Sequence, residues 1–127
     1  VRHEQELKDV LPANEAGLPV FDMIMLGMGG DGHTASIFPH QMELLASNKI
    51  CEVAEHPESG QKRVSITGPV INAAKEVVFL VTGAGKAEKI DEIFYQKGRA
   101  ESYPAAHVKP TSGRLSWYLD SAAAANL

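Results

Sequence analysis

An apolar run that leads into a glycine-rich loop is the feature that most constrains how this chain can fold. Residues 20–26 are mostly apolar, and glycine occupies positions 27, 29, 30 and 32 directly after them. An apolar run bounded by glycine is typical of a buried strand in a parallel sheet. Ligands of open α/β sheets bind at the carboxyl ends of strands, where this loop would lie. His33, at the end of the loop, is therefore a candidate for chemistry.

The order of the remaining elements favours a single α/β domain with a mostly parallel sheet flanked by helices. The 127 residues suffice for one domain with a real core. We expect strands at residues 20–26, 49–55, 63–67 and 76–82. We expect helices at 2–10, 34–38, 69–75, 86–97 and 115–127, with Trp117 anchoring the last of them.

Composition excludes several classes of partner. The net charge of −4 predicts no basic surface for nucleic acid, and no apolar run approaches the roughly 18 residues of a membrane span. Cys51 is the single cysteine, so no intrachain disulfide is expected and a cytoplasmic location is favoured. We interpret Cys51 as a small core residue. The chain begins without Met, inside a predicted helix, which suggests a missing N-terminal portion or else a trimmed terminus.

The glycine loop also matches the dinucleotide-binding pattern, as Gly27-x-Gly29-x-x-Gly32. In that fold a long helix follows the third glycine, whereas here Pro39 comes seven residues later and leaves it little room. Asp31 and the histidines lack the spacing of a zinc site. We therefore expect neither a cofactor nor a metal.

A second loop, Thr82–Lys86, also follows an apolar run and precedes a predicted helix. It lacks the first glycine and the Ser or Thr of a Walker A loop. Two interpretations stay open: an anion site formed by backbone N–H groups and Lys86, or a tight turn with Lys86 in solvent. Arg63, on one strand face with Ser65 and Thr67, is either a phosphate ligand or a solvated surface residue.

Several segments together resemble the family of glucosamine-6-phosphate isomerases and 6-phosphogluconolactonases, in particular the second half of the lactonases. The most specific is residues 21–39, with Asp31-Gly32-His33-Thr34 at its centre. The others are residues 63–67, 69–72, 79–87, 104–106 and 117–120. The deaminases of this family carry an acidic residue shortly after the histidine, and here Thr34–Pro39 stands in its place. The resemblance therefore favours the lactonases.

The resemblance implies a Rossmann-like α/β fold and hydrolysis of 6-phospho-D-glucono-1,5-lactone to 6-phosphogluconate, in the oxidative pentose phosphate pathway. Residues 1–127 would be the C-terminal portion of one sugar-phosphate-processing domain. They would contact a missing N-terminal half, and their activity alone is an open question. The alternatives are a glucosamine-6-phosphate deaminase-like enzyme and a sugar-phosphate-sensing domain without catalysis; the presence of His33 argues against the second.

Residue roles follow for the lactonase interpretation. His33 would take a proton from the water that attacks the lactone carbonyl, and Asp31 would orient His33 or cap the turn. By analogy with the family, Arg63 and Lys86 would hold the phosphate of the substrate. The backbone N–H groups expected to stabilise the oxyanion belong to Gly27, Gly29, Gly30 and Gly32.

Overall fold

A computed structural model describes residues 2–127. Its strands are β1 (Ile24–Leu26), β2 (Cys51–Glu55), β3 (Lys62–Ile66), β4 (Val77–Val81) and β5 (Leu115–Leu119). Its α-helices are α1 (Arg2–Val10), α2 (Gly68–Ala73) and α3 (Ala87–Tyr95). Short 3₁₀ segments cover Pro39–Ala46, Ala84–Lys86, Ala100–Ser102 and Pro104–His107.

Three of the strands form a parallel sheet in the order β1-β4-β5. Leu26 lies beside Phe79, and Phe79 lies beside Trp117. The other two strands, β2 and β3, form a separate antiparallel hairpin. The predicted α/β class with a mostly parallel sheet and flanking helices is confirmed.

The two faces of the parallel sheet have different surroundings. One face carries Val77, Phe79 and Val81 of β4, and it joins Ile71 of α2 and Ile90 of α3 in one hydrophobic core. On the other face Met25, Leu80 and Tyr118 are each more than half exposed. We call these three residues the bare face. Parallel sheets are normally covered on both sides, so the bare face is unusual for this architecture.

The predicted helix over residues 115–127 is wrong, because its first five residues form β5. The indole of Trp117 stacks on the ring of Phe79, with centroids 4.0 Å apart and planes 9° from parallel. Pairing with β4 and this ring contact outweigh the local helix preference. Beyond Leu119 the chain forms turns as far as residue 126.

The predicted helical turns at residues 34–38 are also wrong. Thr34 and Ile37 form an isolated antiparallel bridge, and a 3₁₀ segment begins only at Pro39. The Thr34 hydroxyl donates to the carbonyl of Gly27 at 2.8 Å, which holds this segment against the glycine loop. Elsewhere the predicted helices and strands are present, although β1 is shorter than the apolar run that predicted it.

Cys51 lies in β2 as a free, buried thiol, which confirms its interpretation as a core residue. Burial, together with the nearby Glu4 carboxylate, raises the pKa of Cys51 above its ordinary value. A thiol that stays protonated and inaccessible is chemically inert. Within residues 2–127, no helix has the length and apolar character needed to cross a bilayer.

Candidate active site

The two glycine loops meet at one edge of the parallel sheet. The first follows β1 and the second follows β4, and these two strands are parallel neighbours. Lys86, in the second loop, donates a hydrogen bond from Nζ to the carbonyl of Met28 in the first. Asp120, directly after β5, accepts the backbone N–H of Gly83 at 3.1 Å. The carboxyl ends of all three strands therefore contribute to one site.

Internal hydrogen bonds define the shape of the first loop. The N–H of Gly29 donates to the carbonyl of His33 at 2.9 Å, and the N–H of Gly32 donates to the carbonyl of Gly29 at 3.0 Å. A Cβ on Gly29 would lie 2.0 Å from Cε1 of His33, so only glycine leaves space for the imidazole. Gly32 has a φ of +87°, and a Cβ there would lie 2.6 Å from the Tyr103 side chain.

Tyr103 supports the loop from behind, and α3 holds Tyr103 in place. Its hydroxyl donates to Oε1 of Glu92 at 2.6 Å. Burial and the neighbouring Glu92 carboxylate raise the pKa of Tyr103 to about 12, so the phenol keeps its proton. The N–H of Ala105 also donates to the carbonyl of Gly32 at 3.0 Å. The back of the catalytic candidate is therefore fixed by residues some 70 positions further along the chain.

His33 and Asp31 form a close pair. Nδ1 of His33 donates to Oδ1 of Asp31 at 2.6 Å, and the same oxygen accepts the backbone N–H of His33 at 3.0 Å. Asp31 therefore caps the turn and orients the ring at the same time. With the proton on Nδ1, the neutral imidazole keeps a lone pair on Nε2. Nε2 has no hydrogen-bond partner within the described part of the chain.

The surroundings of Asp31 keep its carboxyl ionised. Partial burial would by itself raise the pKa of Asp31, but the hydrogen bonds from the backbone and ring of His33 outweigh that effect. The pKa of Asp31 is consequently lower than its ordinary value of 3.8. An ionised carboxylate at Nδ1 keeps the imidazole in one tautomer and stabilises the imidazolium that forms when Nε2 accepts a proton.

The lowered pKa of Asp31 makes part of the stability depend on pH. A depressed pKa stabilises the folded state above the unfolded pKa, and this contribution is lost as the pH falls through the folded value. We expect Asp31→Asn to be less stable than wild type at neutral pH, and the difference to shrink below about pH 4. Urea unfolding from pH 7 downward measures it; a difference that stays constant with pH would contradict the expectation.

A cleft of about 350 Å³ opens beside His33. It is lined by the end of β1, the first loop and the residues after the histidine, including Met28, Gly29, Thr34 and Ala35. Among the predicted oxyanion donors, Gly29 and Gly32 already donate within the loop. The N–H of Gly30 has no hydrogen-bond partner in residues 2–127. Gly30 is therefore an available donor, and the N–H groups of Gly29 and Gly32 are not.

Lys86 lies at the site. The second loop, however, has fewer free backbone N–H groups for an anion than the sequence suggests. The contact with Met28 shows that Lys86 is not simply a solvated turn residue. The N–H of Gly83, however, is occupied by the carboxylate of Asp120. Two hydrogen bonds, from the N–H groups of Ala123 and Gly83, lower the pKa of Asp120, so this carboxylate is ionised and repels an anion from that point.

The side chains of Arg63 and His33 both lie against the ring of Phe38. The Phe38 ring is fully buried, with the imidazole of His33 at 4.7 Å and Cζ of Arg63 at 6.0 Å from its centroid. Ser65, on the same strand face as Arg63, accepts the N–H of Ser36 at 3.1 Å through Oγ. Both contacts join the hairpin to the segment after His33.

Three residues that support this arrangement were not predicted. Thr34 ties the loop to Gly27, Phe38 separates His33 from Arg63, and Tyr103 packs behind Gly32. Of these three residues, only Thr34 could have been identified from the sequence, because it is a polar residue directly after the histidine. In residues 2–127 no group of three His, Cys, Asp or Glu side chains could hold a metal ion.

Comparison with protein families gives one extended match. The family model described as glucosamine-6-phosphate isomerases/6-phosphogluconolactonase matches residues 1–117. A curated relative from Haemophilus influenzae, named 6-phosphogluconolactonase, is 48% identical over 122 residues. That alignment covers 96% of this chain and 50% of the relative. The chain therefore spans about half the length of the curated relatives it matches.

Solved structures show the same relationship. A crystal structure of a protein called devB has a TM-score of 0.91 and 50% identity, over 99% of this chain and 52% of its own. The 6-phosphogluconolactonase of Trypanosoma brucei has a TM-score of 0.86 and 31% identity, over 99% and 51% of the two chains. These similarities extend through the parallel sheet and both of its glycine loops.

Proposed function

The chain belongs to the family of glucosamine-6-phosphate isomerases and 6-phosphogluconolactonases, and from this we propose that it supplies the catalytic histidine of a 6-phosphogluconolactonase. The reaction is hydrolysis of 6-phospho-D-glucono-1,5-lactone to 6-phosphogluconate. One observation carries the proposal: Asp31 binds Nδ1 of His33 and leaves Nε2 unpaired at the cleft.

In this proposal His33 acts first as a base and then as an acid. Nε2 takes a proton from a water molecule whose oxygen attacks lactone C1, giving a tetrahedral oxyanion. When the C1–ring oxygen bond breaks, the imidazolium returns its proton to the ring oxygen. The products are the carboxylic acid, which ionises at neutral pH, and a free hydroxyl group. Asp31 remains ionised throughout and stabilises the imidazolium.

The oxyanion on C1 requires hydrogen-bond donors that are already in place. We propose the N–H of Gly30 for this role, because it belongs to the loop that ends at His33 and has no partner among the described residues. Preorganised donors of this kind stabilise developing charge without reorganisation. Gly29 and Gly32 serve instead to shape the loop, and Gly27 accepts from Thr34.

Arg63 and Lys86 would bind the phosphate of the substrate. Arg63 has no carboxylate partner within the described residues, and Lys86 reaches the first loop from the second. Both cations therefore keep donors for an anion in a protein whose net charge is −4. Binding the phosphate also orients the lactone relative to His33.

Replacing Lys86 by Ala tests the phosphate role. We expect KM for the phosphorylated lactone to rise about 10- to 100-fold, with a smaller change in kcat, because a charge-assisted contact is lost. KM for unphosphorylated glucono-1,5-lactone should not rise. Equal weakening for both lactones would remove Lys86 from the phosphate site.

The bare face suggests where the rest of a full-length protein would pack. We propose that the part of the relatives beyond the matched half covers Met25, Leu80 and Tyr118. β1 is an edge strand of three residues, so a further strand could pair with it. The acidic net charge and the free buried thiol support a cytoplasmic enzyme that binds no nucleic acid.

A pair of assays tests the whole proposal. One uses residues 1–127 alone; the other uses a hybrid in which they replace the matching C-terminal portion of the Haemophilus influenzae relative. We expect the hybrid to hydrolyse 6-phosphogluconolactone. A folded hybrid without lactonase activity would refute the proposal. Release of ammonia from glucosamine 6-phosphate would instead identify a deaminase.

A further inference from the structure

The buried ring of Phe38 is surrounded by four side chains that are cations or can become cations. Besides His33 and Arg63, it contacts His56 edge-on at 5.4 Å and His40 at 6.0 Å between ring centroids. Aromatic faces attract such groups. Neither His40 nor His56 is used by the proposed reaction. His40 is exposed, whereas His56 is half-buried.

His56 and Arg63 come from the same side of the β2–β3 hairpin. Arg63 lies opposite Ala54 in the strand register, and His56 follows Ala54 by two residues. Side chains two positions apart along a strand point to the same face, and diagonal neighbours across a pair are within reach of each other. The N–H of His56 donates to the carbonyl of Gln61 at 2.9 Å, which continues the hairpin to this point.

The hydrogen bonds of His56 determine where its proton lies. Nδ1 accepts the backbone N–H groups of Glu58 and Ser59, both at 3.2 Å. In the neutral ring the proton is therefore on Nε2, which has no partner in residues 2–127. Arg63 similarly uses Nε to donate to Gln61 at 3.2 Å and retains its two terminal amino groups. Two adjacent side chains thus present unused donors.

We propose that His56 is a further substrate-binding residue, and that its Nε2–H joins Arg63 in holding the phosphate of the sugar substrate. The proposal rests on the proposed function, in which Arg63 is a phosphate ligand. Phosphate oxygens accept several hydrogen bonds, and a neutral donor beside an arginine adds one with a fixed direction. Phe38 contacts His33, His56 and Arg63 together, so it sets the separation of the phosphate from the catalytic base.

The substitution His56→Asn isolates the donor. An Asn side-chain oxygen can accept the backbone N–H two residues later, so the turn is kept while the Nε2–H is removed. In the hybrid we expect KM for 6-phosphogluconolactone to rise about 3- to 10-fold, with kcat little changed. KM for glucono-1,5-lactone should stay the same. His3→Asn, on exposed α1, is the matched control and should behave as wild type.

Binding measurements separate this inference from the proposed function. Calorimetry with 6-phosphogluconate and with gluconate requires no turnover, and the Asn variant should weaken only the phosphorylated ligand. An unchanged Kd and KM would overturn the role of His56 while leaving lactone hydrolysis intact. Equal weakening of both ligands, or failure of the unmodified hybrid to bind 6-phosphogluconate, would also overturn it. If the hybrid has no lactonase activity but the Asn variant binds only 6-phosphogluconate more weakly, the proposed reaction is refuted and the phosphate-binding role of His56 is retained.

Discussion

His33→Ala in the hybrid is expected to lower kcat for 6-phosphogluconolactone by about 100- to 10,000-fold, the range for loss of a general base. KM should change little, because the proposed phosphate ligands remain. The cavity left beside Asp31 has room for a small base, so added imidazole should restore part of the rate.

The control for this experiment is His107→Ala, whose ring contacts the carbonyl of Glu101 and lies outside the cleft. It should keep the full rate. An unchanged rate for His33→Ala in a protein with a wild-type unfolding curve would remove His33 from the reaction. The second step, protonation of the ring oxygen, would then also need another donor.

Gly29→Ala is expected to reduce kcat by about 100-fold or more, although it removes no reacting group, because small displacements of a catalytic group carry large losses. The new methyl group would lie 2.1 Å from Nδ1 of His33. The ring must therefore move and lose its 2.6 Å hydrogen bond to Asp31. The resonance of Nδ1–H in a proton spectrum reports this bond directly.

Gly30→Ala provides the comparison, since a Cβ at Gly30 meets no atom within 4 Å. The substitution leaves the N–H in place and should cost much less activity than Gly29→Ala. Similar losses for both would mean that the loop tolerates no side chain for reasons unrelated to His33. Full activity of Gly29→Ala would show that the ring position is not critical.

The sequence identifies the loop but not the contacts that complete it. Gly27, Gly29 and His33 are close in the chain, so their pattern predicts a shaped loop. The contact between Lys86 and Met28 depends on β1 and β4 being parallel neighbours, which local patterns do not specify. Tyr103 behind Gly32 is similarly a consequence of tertiary packing, and the family-like segment 104–106 directly after Tyr103 does not specify that contact.

Alternation on β3 was predicted, but not which of its faces is buried. Ser65 and Thr67 are buried whereas Val64 is 59% exposed, the reverse of the usual arrangement. The polar atoms are satisfied locally: Thr67 Oγ1 donates to the carbonyl of Lys49 at 2.6 Å, and Ser65 Oγ donates to that of Ile66 at 2.9 Å. These bonds remove the cost of burial. Arg63, on the same face of the strand, lies with Cζ 6.0 Å from the centroid of the Phe38 ring.

The end of the chain differs from its predicted helix for a different reason. The predicted helix over residues 115–127 includes four consecutive alanines at 122–125, which favour a helix locally. Asp120 separates the two segments, because its carboxylate accepts the N–H groups of Gly83 and Ala123. The strand β5 therefore ends directly before Asp120, a residue type common in turns, whose carboxylate binds both N–H groups.

The bare face makes the chain by itself prone to associate through exposed apolar side chains. Met25, Leu80 and Tyr118 lie together in water, next to the unpaired edge of β1. Two copies can bury these surfaces against each other, so we expect self-association to increase with protein concentration. Dilute solution and solubilising fusion partners are thus the natural conditions for handling the chain by itself. In a concentrated sample of the chain alone, self-association through the bare face would affect the measurements before any property of the active site could be measured.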